Sequence, residues 1–255
     1  MSSAIRPVLI VAGVGSPSGT GAAAARLFAR EGYRVALVAR SAERLKITKD
    51  HINNTGGEAE AFSINDYEYS TITDLFSRVK SHTWPSPAKA EIRVAFWNAS
   101  NAPFKTFLDI TEEDIQETLQ ANVIAPFSFS RQAILNFKEN EIDERGRRGT
   151  LIFTGATGSL RGNTYTSAFS AGKFGLRALS QSLAKEFGKD NIHVAQFIID
   201  GMILSERTTE GKTLEELKDT RLNPESIAEA ILYLTNQDKS AWTWELDLRP
   251  SHEKW

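Results

Sequence analysis

The chain contains no cysteine, which excludes disulfide frameworks, thiolate zinc sites and thiol nucleophiles, and leaves any redox chemistry to a bound cofactor. Its four histidines, His51, His82, His193 and His252, lack the spacing of a metal-ligand set and read as surface or packing residues, so no metal is expected. An excess of one charge is also missing. Thirty Lys and Arg against 32 Asp and Glu leave a net charge of −2, which gives nucleic acid nothing to attract. No apolar run approaches the roughly 18 residues of a membrane span. The first six residues also lack the basic start and apolar stretch of a secretory leader, so the expectation is a cytoplasmic protein that engages no membrane. Linkers, low-complexity blocks and internal repeats are absent as well, and the whole chain, 1–255, reads as one domain.

What is present is a repeated βα rhythm. Apolar, β-branched runs at 8–14, 34–39, 92–97, 150–154 and 193–199 alternate with segments whose apolar residues recur at helical spacing, among them 22–30, 122–137, 169–187 and 224–234. Short, continuously apolar strands are buried on both faces, and helices supply the crossovers that parallel strands need; the fold class is α/β with a doubly wound parallel sheet. Polar stretches at 139–148 and 205–219 read as surface excursions, the second long enough for a lid. The tail 242–248 alternates like an edge strand, its tryptophans serving packing or an interface.

The first strand breaks into Gly15-Ser16-Pro17-Ser18-Gly19-Thr20-Gly21 before an alanine-rich helix. Glycines spaced G-x-x-x-G-x-G between a strand and a helix let the backbone approach a pyrophosphate, and the helix N-terminus supplies N–H donors; a dinucleotide is the expected ligand, with Gly15, Pro17, Ser18, Gly19 and Gly21 around it. The second strand ends in Ala39-Arg40 where an acidic residue would bind the ribose 2′-hydroxyl of NAD. Arg40, assisted by Ser41 and Arg44, suits a 2′-phosphate instead, so NADP(H) is preferred over NAD(H).

These features, with Trp97-Asn98-Ala99-Ser100, Ala121-Asn122-Val123, Phe169-Ser170-Ala171-Gly172-Lys173 and Asp200-Gly201-Met202-Ile203 in the same order, make the chain resemble the short-chain dehydrogenase/reductase family over nearly all of its length. The resemblance implies a three-layer Rossmann fold with a seven-stranded parallel sheet, NADP(H)-dependent oxidoreduction of a small hydrophobic molecule, and a homodimer or homotetramer built on the helices at 122–137 and 169–187. It also implies that Asn98, Ala99 and Ser100 steady the sheet and touch the adenosine ribose, that Asn122 holds a relay water, and that Lys173 binds the nicotinamide ribose. Ser63 and Ile64 would meet the adenine, and Gly201, Ile203 and Ser205 the nicotinamide carboxamide.

The family's catalytic tyrosine falls on Phe169 and its serine on Ala156. Phenylalanine cannot donate a proton, and a positioned general acid contributes roughly 10²–10⁴-fold in rate. Ketone reduction is therefore expected to be poor, whereas an iminium ion or similar cationic acceptor needs no proton donor. Tyr165, one helical turn earlier if the helix already begins there, and Asp200, beside the nicotinamide pocket, are the substitute donors to consider; Thr154, Thr157 and Ser159 miss the serine position. The alternative is a protein that binds NADP without redox turnover, either a scaffold or a non-redox catalyst such as a cyclase.

Overall fold

The computed structural model describes residues 5–252 apart from Glu210 and Lys218. The chain alternates β1 (Ile5–Ala12), α1 (Thr20–Arg30), β2 (Arg34–Ala39), α2 (Ala42–Asn54), β3 (Glu58–Ser63), α3 (Tyr69–Ser81) and β4 (Lys89–Trp97). It continues through α4 (Glu112–Leu119), α5 (Ala125–Glu139), β5 (Gly149–Ala156), α6 (Ser167–Phe187) and β6 (Ile192–Ile199). Two short helices, α7 (Glu206–Thr209) and α8 (Leu214–Leu217), precede α9 (Pro224–Asn236) and β7 (Glu245–Leu248). All seven strands are parallel, in the order β3-β2-β1-β4-β5-β6-β7.

The sheet's two faces are covered by two separate apolar layers. Ala22, Ala25 and Phe28 of α1, Leu45 and Ile52 of α2, and Ile227 and Ile231 of α9 pack on one face. Ile72 and Phe76 of α3, Phe129 and Phe137 of α5, and Leu176 of α6 pack on the other. This is the three-layer doubly wound Rossmann architecture, and it explains why β2 and β6, buried at every position, are the most legible strands in the sequence. Among the described residues no helix is long and apolar enough to cross a membrane.

The structure departs from the sequence expectations where a run is not buried on both sides. β3 reads Glu-Ala-Glu-Ala-Phe-Ser and lies at the sheet edge, half-buried, so no continuous apolar run marks it. At the other edge β7 is confined to Glu245–Leu248: the Trp244 carbonyl still accepts from Gln196 N of β6 (2.7 Å), but Trp242 and Thr243 engage the His193 side chain instead. The Thr243 carbonyl lies 2.8 Å from His193 Nε2, and the Trp242 ring stacks on the His193 ring at 4.8 Å. The stretch 139–148 is not a plain solvated excursion: Asn140 and Arg147 are buried, and Asn140 Nδ2 donates to the carbonyls of Ile92 (2.8 Å) and Arg148 (3.0 Å). The expected lid at 205–219 contains α7 and α8, and its Glu210 and Lys218 lie outside the described residues.

Two local features shape the carboxyl end of the sheet. Between α4 and α5 the helix widens into one π-helical turn, Gln120–Ile124, which carries the fully buried Asn122 inward. After β1 the backbone turns through Gly13 at φ +102°, where an added Cβ would lie 2.4 Å from the Ala99 backbone nitrogen. Gly13→Ala therefore meets both a left-handed backbone and a backbone clash. We expect it to destabilise the fold by at least about 2 kcal/mol, a fall in melting temperature of roughly 4–8 °C. Gly162→Ala, with open space around it, should leave the melting temperature within about 2 °C.

Candidate active site

The carboxyl ends of β1, β4, β5 and β6 surround a cleft of about 670 Å³ at the point where the strand order reverses beside β1, the place where open α/β sheets bind ligands. Gly15, Gly19 and Gly21 line it. An added Cβ at Gly15 would meet no protein atom within 4 Å, so internal packing does not require glycine there; a bare backbone instead faces the cleft. Gly19 caps α1 without a side-chain hydrogen bond, and the first turn holds no acidic residue, which leaves the helix N–H groups to a ligand. That arrangement fits a pyrophosphate. Ser16 and Thr20 line the cleft too, whereas Pro17 and Ser18 stand on the outer side of the turn, the Pro17 carbonyl accepting from Arg26 (2.7 Å).

Hydrogen bonds tie the strand ends together across the cleft floor. Asn98 Nδ2 donates to the Gly13 carbonyl (2.9 Å), Thr154 Oγ1 donates to Asn98 Oδ1 (2.9 Å), and Lys173 Nζ donates to the Thr154 carbonyl (2.9 Å). Behind them Ser100 Oγ donates to Asn122 Oδ1 (2.8 Å), and Asn122 Nδ2 to the Asn101 carbonyl (2.7 Å). Asn98, Ser100 and Lys173 line the cleft; Asn122 and Ala99 are buried just outside it.

Phe169 lies in the first turn of α6, half-buried, its ring 5.8 Å from Lys173 Nζ and 5.9 Å from the Phe104 ring. Ala156 lines the cleft at the end of β5, and its N–H donates inward to Ser159 Oγ (3.1 Å), so Ser159 is turned away from the ligand side. α6 begins at Ser167, and Tyr165 precedes it in a left-handed turn at φ +67°. It is exposed, and the helical face it would share with Phe169 does not form. Asp200 does not face the cleft either. Its carboxylate is buried, accepts from the Thr157 hydroxyl, and lies 2.8 Å from Arg249 Nη2 and 3.3 Å from Arg161 Nη2.

Around the expected adenosine end, Arg40 is exposed with its guanidinium 5.6 Å from the Tyr67 ring centroid, and Ser41 caps α2 by accepting from Arg44 N (3.3 Å). Arg44 reaches the glycine turn itself, donating to the Gly15 carbonyl (2.8 Å). Ser63 and Ile64, the residues expected at the adenine, border a separate small cavity beside Arg78, and the Ile64 N–H is already donated to the Ala39 carbonyl (3.2 Å). Gly201, Ile203 and Ser205 line the main cleft, where Thr208 Oγ1 donates to the Ile203 carbonyl (2.6 Å). Gly13, Phe104 and Tyr67 stand at the site outside the residues that the sequence motifs mark. The extra glycine before the motif was the only available signal, since the other two arrive through loop shape.

Lys173 is the only ionisable side chain among the described residues lining the cleft. Burial pushes its pKa from 10.5 down to about 8. A folded-state pKa below the unfolded value means that the unfolded chain holds the proton more tightly, so the penalty is complete below about 8 and is relieved as pH rises toward 10.5. Lys173→Met should therefore stabilise the ligand-free protein at pH 7 by about 1–3 kcal/mol, the lower end allowing for the lost hydrogen bond to Thr154. Thermal melts at pH 7 and pH 9.5 check this, and the gain should shrink at the higher pH.

The chain matches the short chain dehydrogenase family over residues 8–215. The 3-oxoacyl-acyl-carrier-protein reductase of Homo sapiens is 30% identical over 206 residues, covering 80% of this chain and 79% of that protein. The rat enzyme of the same name, from Rattus norvegicus, is 29% identical over 194 residues, or 76% and 75%. The crystal structure of a short-chain dehydrogenase from Rhodopseudomonas palustris has a TM-score of 0.77 at 30% identity, covering 96% of this chain and 98% of that one. A metagenomic short-chain oxidoreductase in complex with NADP has a TM-score of 0.77 at 23% identity, covering 98% and 99%, a likeness of fold. Sequence, sheet order and cleft agree: the chain belongs to the short-chain dehydrogenase/reductase family.

Proposed function

We propose that the protein is an NADP(H)-dependent reductase of a small hydrophobic molecule whose reducible group needs no tyrosine proton, such as an iminium ion. The observation that carries this reading is a cleft with a glycine cradle and a buried lysine whose wall, at the place of the proton donor, is the ring of Phe169. When bound, NADPH supplies the hydride. The chain's own groups bind and orient. Gly15, Gly19 and Gly21 with the α1 N–H groups hold the pyrophosphate, and Pro17 and Ser18 shape the turn from outside. Arg40, steadied by Tyr67, meets the 2′-phosphate with Ser41 and Arg44 beside it. Asn98, Ala99 and Ser100 set the adenosine ribose wall, Ser63 and Ile64 bound the adenine, and Gly201, Ile203 and Ser205 receive the carboxamide.

Lys173 offers its ammonium to the nicotinamide ribose hydroxyls, and Asn122, held by Ser100 and Asn101, sits behind that contact. Phe169 and Ala156 are apolar where a hydroxyl pair would stabilise a nascent alkoxide. Asp200 is a structural anchor in this reading, because Thr157 and two guanidinium groups already occupy its oxygens. A cationic acceptor is neutralised by hydride arrival and leaves no alkoxide to protonate. The same reading includes a homodimer or homotetramer, supported by exposed Phe127 and Leu135 on α5 and Phe174 on α6.

Titration with NADPH and NADH should show Arg40→Ala weakening NADPH binding on the order of tenfold or more while sparing NADH; equal losses would remove the 2′-phosphate assignment. Oxidation of NADPH, followed at 340 nm against ketones, enals and cyclic iminium ions, should show turnover on the iminium set. Tight NADPH binding without turnover on any acceptor would favour a scaffold or a non-redox catalyst such as a cyclase. Phe169→Tyr combined with Ala156→Ser should raise ketone reduction by roughly 10²-fold or more, and no gain would show that the cleft differs by more than two hydroxyls.

A further inference from the structure

Phe104 stands on the loop after β4 with 63% of its surface exposed, an unusual place for a large apolar ring. It is nevertheless held in place. The adjacent Lys105 donates its backbone N–H to the Tyr165 carbonyl (3.2 Å), and its Nζ pairs with Asp114 (2.6 Å), so the loop is pinned both to the segment before α6 and to the first turn of α4. The Phe104 and Phe169 ring centroids are 5.9 Å apart with planes inclined by 41°. At that spacing no third ring fits between them, and the two rings meet as an open V. Both line the cleft, as does the half-exposed Met202.

We infer that Phe104 and Phe169 form the specificity wall of the acceptor site and select substrates that carry a planar, π-faced ring next to the reducible group. This rests on the reductase reading and adds the substrate class to it. A flexible aliphatic chain would gain only buried area on such a wall. An aromatic ring gains offset or edge-to-face contact in addition, and a cationic group beside it gains the ring faces as well. Recognition through faces is also what the lining permits: among the described residues that line the cleft Lys173 is the only ionisable side chain, its Nζ stands over the Phe169 ring 5.8 Å from the centroid, and no carboxylate joins them.

The test uses neutral ketones, which the cleft should bind without reducing. Calorimetry on the NADPH-loaded protein compares 2-tetralone, which carries a fused aromatic ring, with 2-decalone, its saturated counterpart, in the unmodified protein and in Phe104→Leu. Leucine stays apolar, though smaller, and removes the π face; 2-decalone reads the lost area alone. The expected result is a roughly three- to tenfold weaker dissociation constant for 2-tetralone and a change below about twofold for 2-decalone. NADPH affinity should stay the same, which reports an intact fold. Equal changes for the two ketones, no change for 2-tetralone, or no binding of either ketone by the unmodified protein would overturn the wall.

A second arm reads turnover of N-methyl-3,4-dihydroisoquinolinium, for which Phe104→Leu should raise KM by a similar factor and preserve kcat. Ring discrimination without turnover would sink the reductase reading and leave the wall standing. Turnover without ring discrimination would do the reverse.

Discussion

The carboxyl ends of the three central strands, β1, β4 and β5, are tied together by the amide of Asn98. Its Nδ2 donates to Gly13 at the end of β1, and its Oδ1 accepts from Thr154 on β5, whose carbonyl in turn accepts from Lys173. The glycine turn, the cleft floor and the buried ammonium are thus successive members of one chain of hydrogen bonds. Parallel strands end in unsatisfied backbone groups that water or side chains must meet; here they are met in a way that fixes where a ligand can lie. Gly13 is the tight spot of that arrangement, because the backbone of Asn98 and Ala99 approaches it more closely than any Cβ allows.

How much of this was legible in the sequence follows from burial. β2 and β6 carry unbroken apolar runs because both faces are covered, and the glycine turn announces itself because spacing encodes backbone shape. β3, an edge strand with alternating glutamates, carries no such signal, and its place came only through the resemblance. Arg34 opens β2 fully buried, its Nε 3.0 Å from Glu58 Oε2 and Nη1 donating to the Ala88 carbonyl (2.8 Å), a burial no composition rule anticipates. In the site, the order of Asn98, Asn122 and Lys173 could be read residue by residue. Asp200 could not, since the arginines that occupy it come from distant segments. The placement of Phe104 depends on a loop held by Lys105, Tyr165 and Asp114, and pairings of that kind leave no periodicity to detect.

A phenylalanine at 169 matters for electrostatics as much as for chemistry. A phenol beside Lys173 would give the ammonium a polar neighbour and a partner in ionisation; the Phe169 ring offers only its quadrupole at 5.8 Å. What remains is a single cation in an apolar cleft, hydrogen-bonded to one backbone carbonyl, with its pKa lowered by burial. Such a charge is a liability to the free protein. Packing gives no reason for it, since a methionine of similar length would fill the same space without desolvating a charge. The proposed ligand does give a reason: ribose hydroxyls would supply the acceptors that the ammonium lacks, and the energy withheld from folding would be returned on binding. In the proposed reading the lysine, with a phenylalanine and no phenol beside it, therefore serves the binding of a hydroxyl-rich cofactor, a role separable from the proton transfer that a phenol would serve.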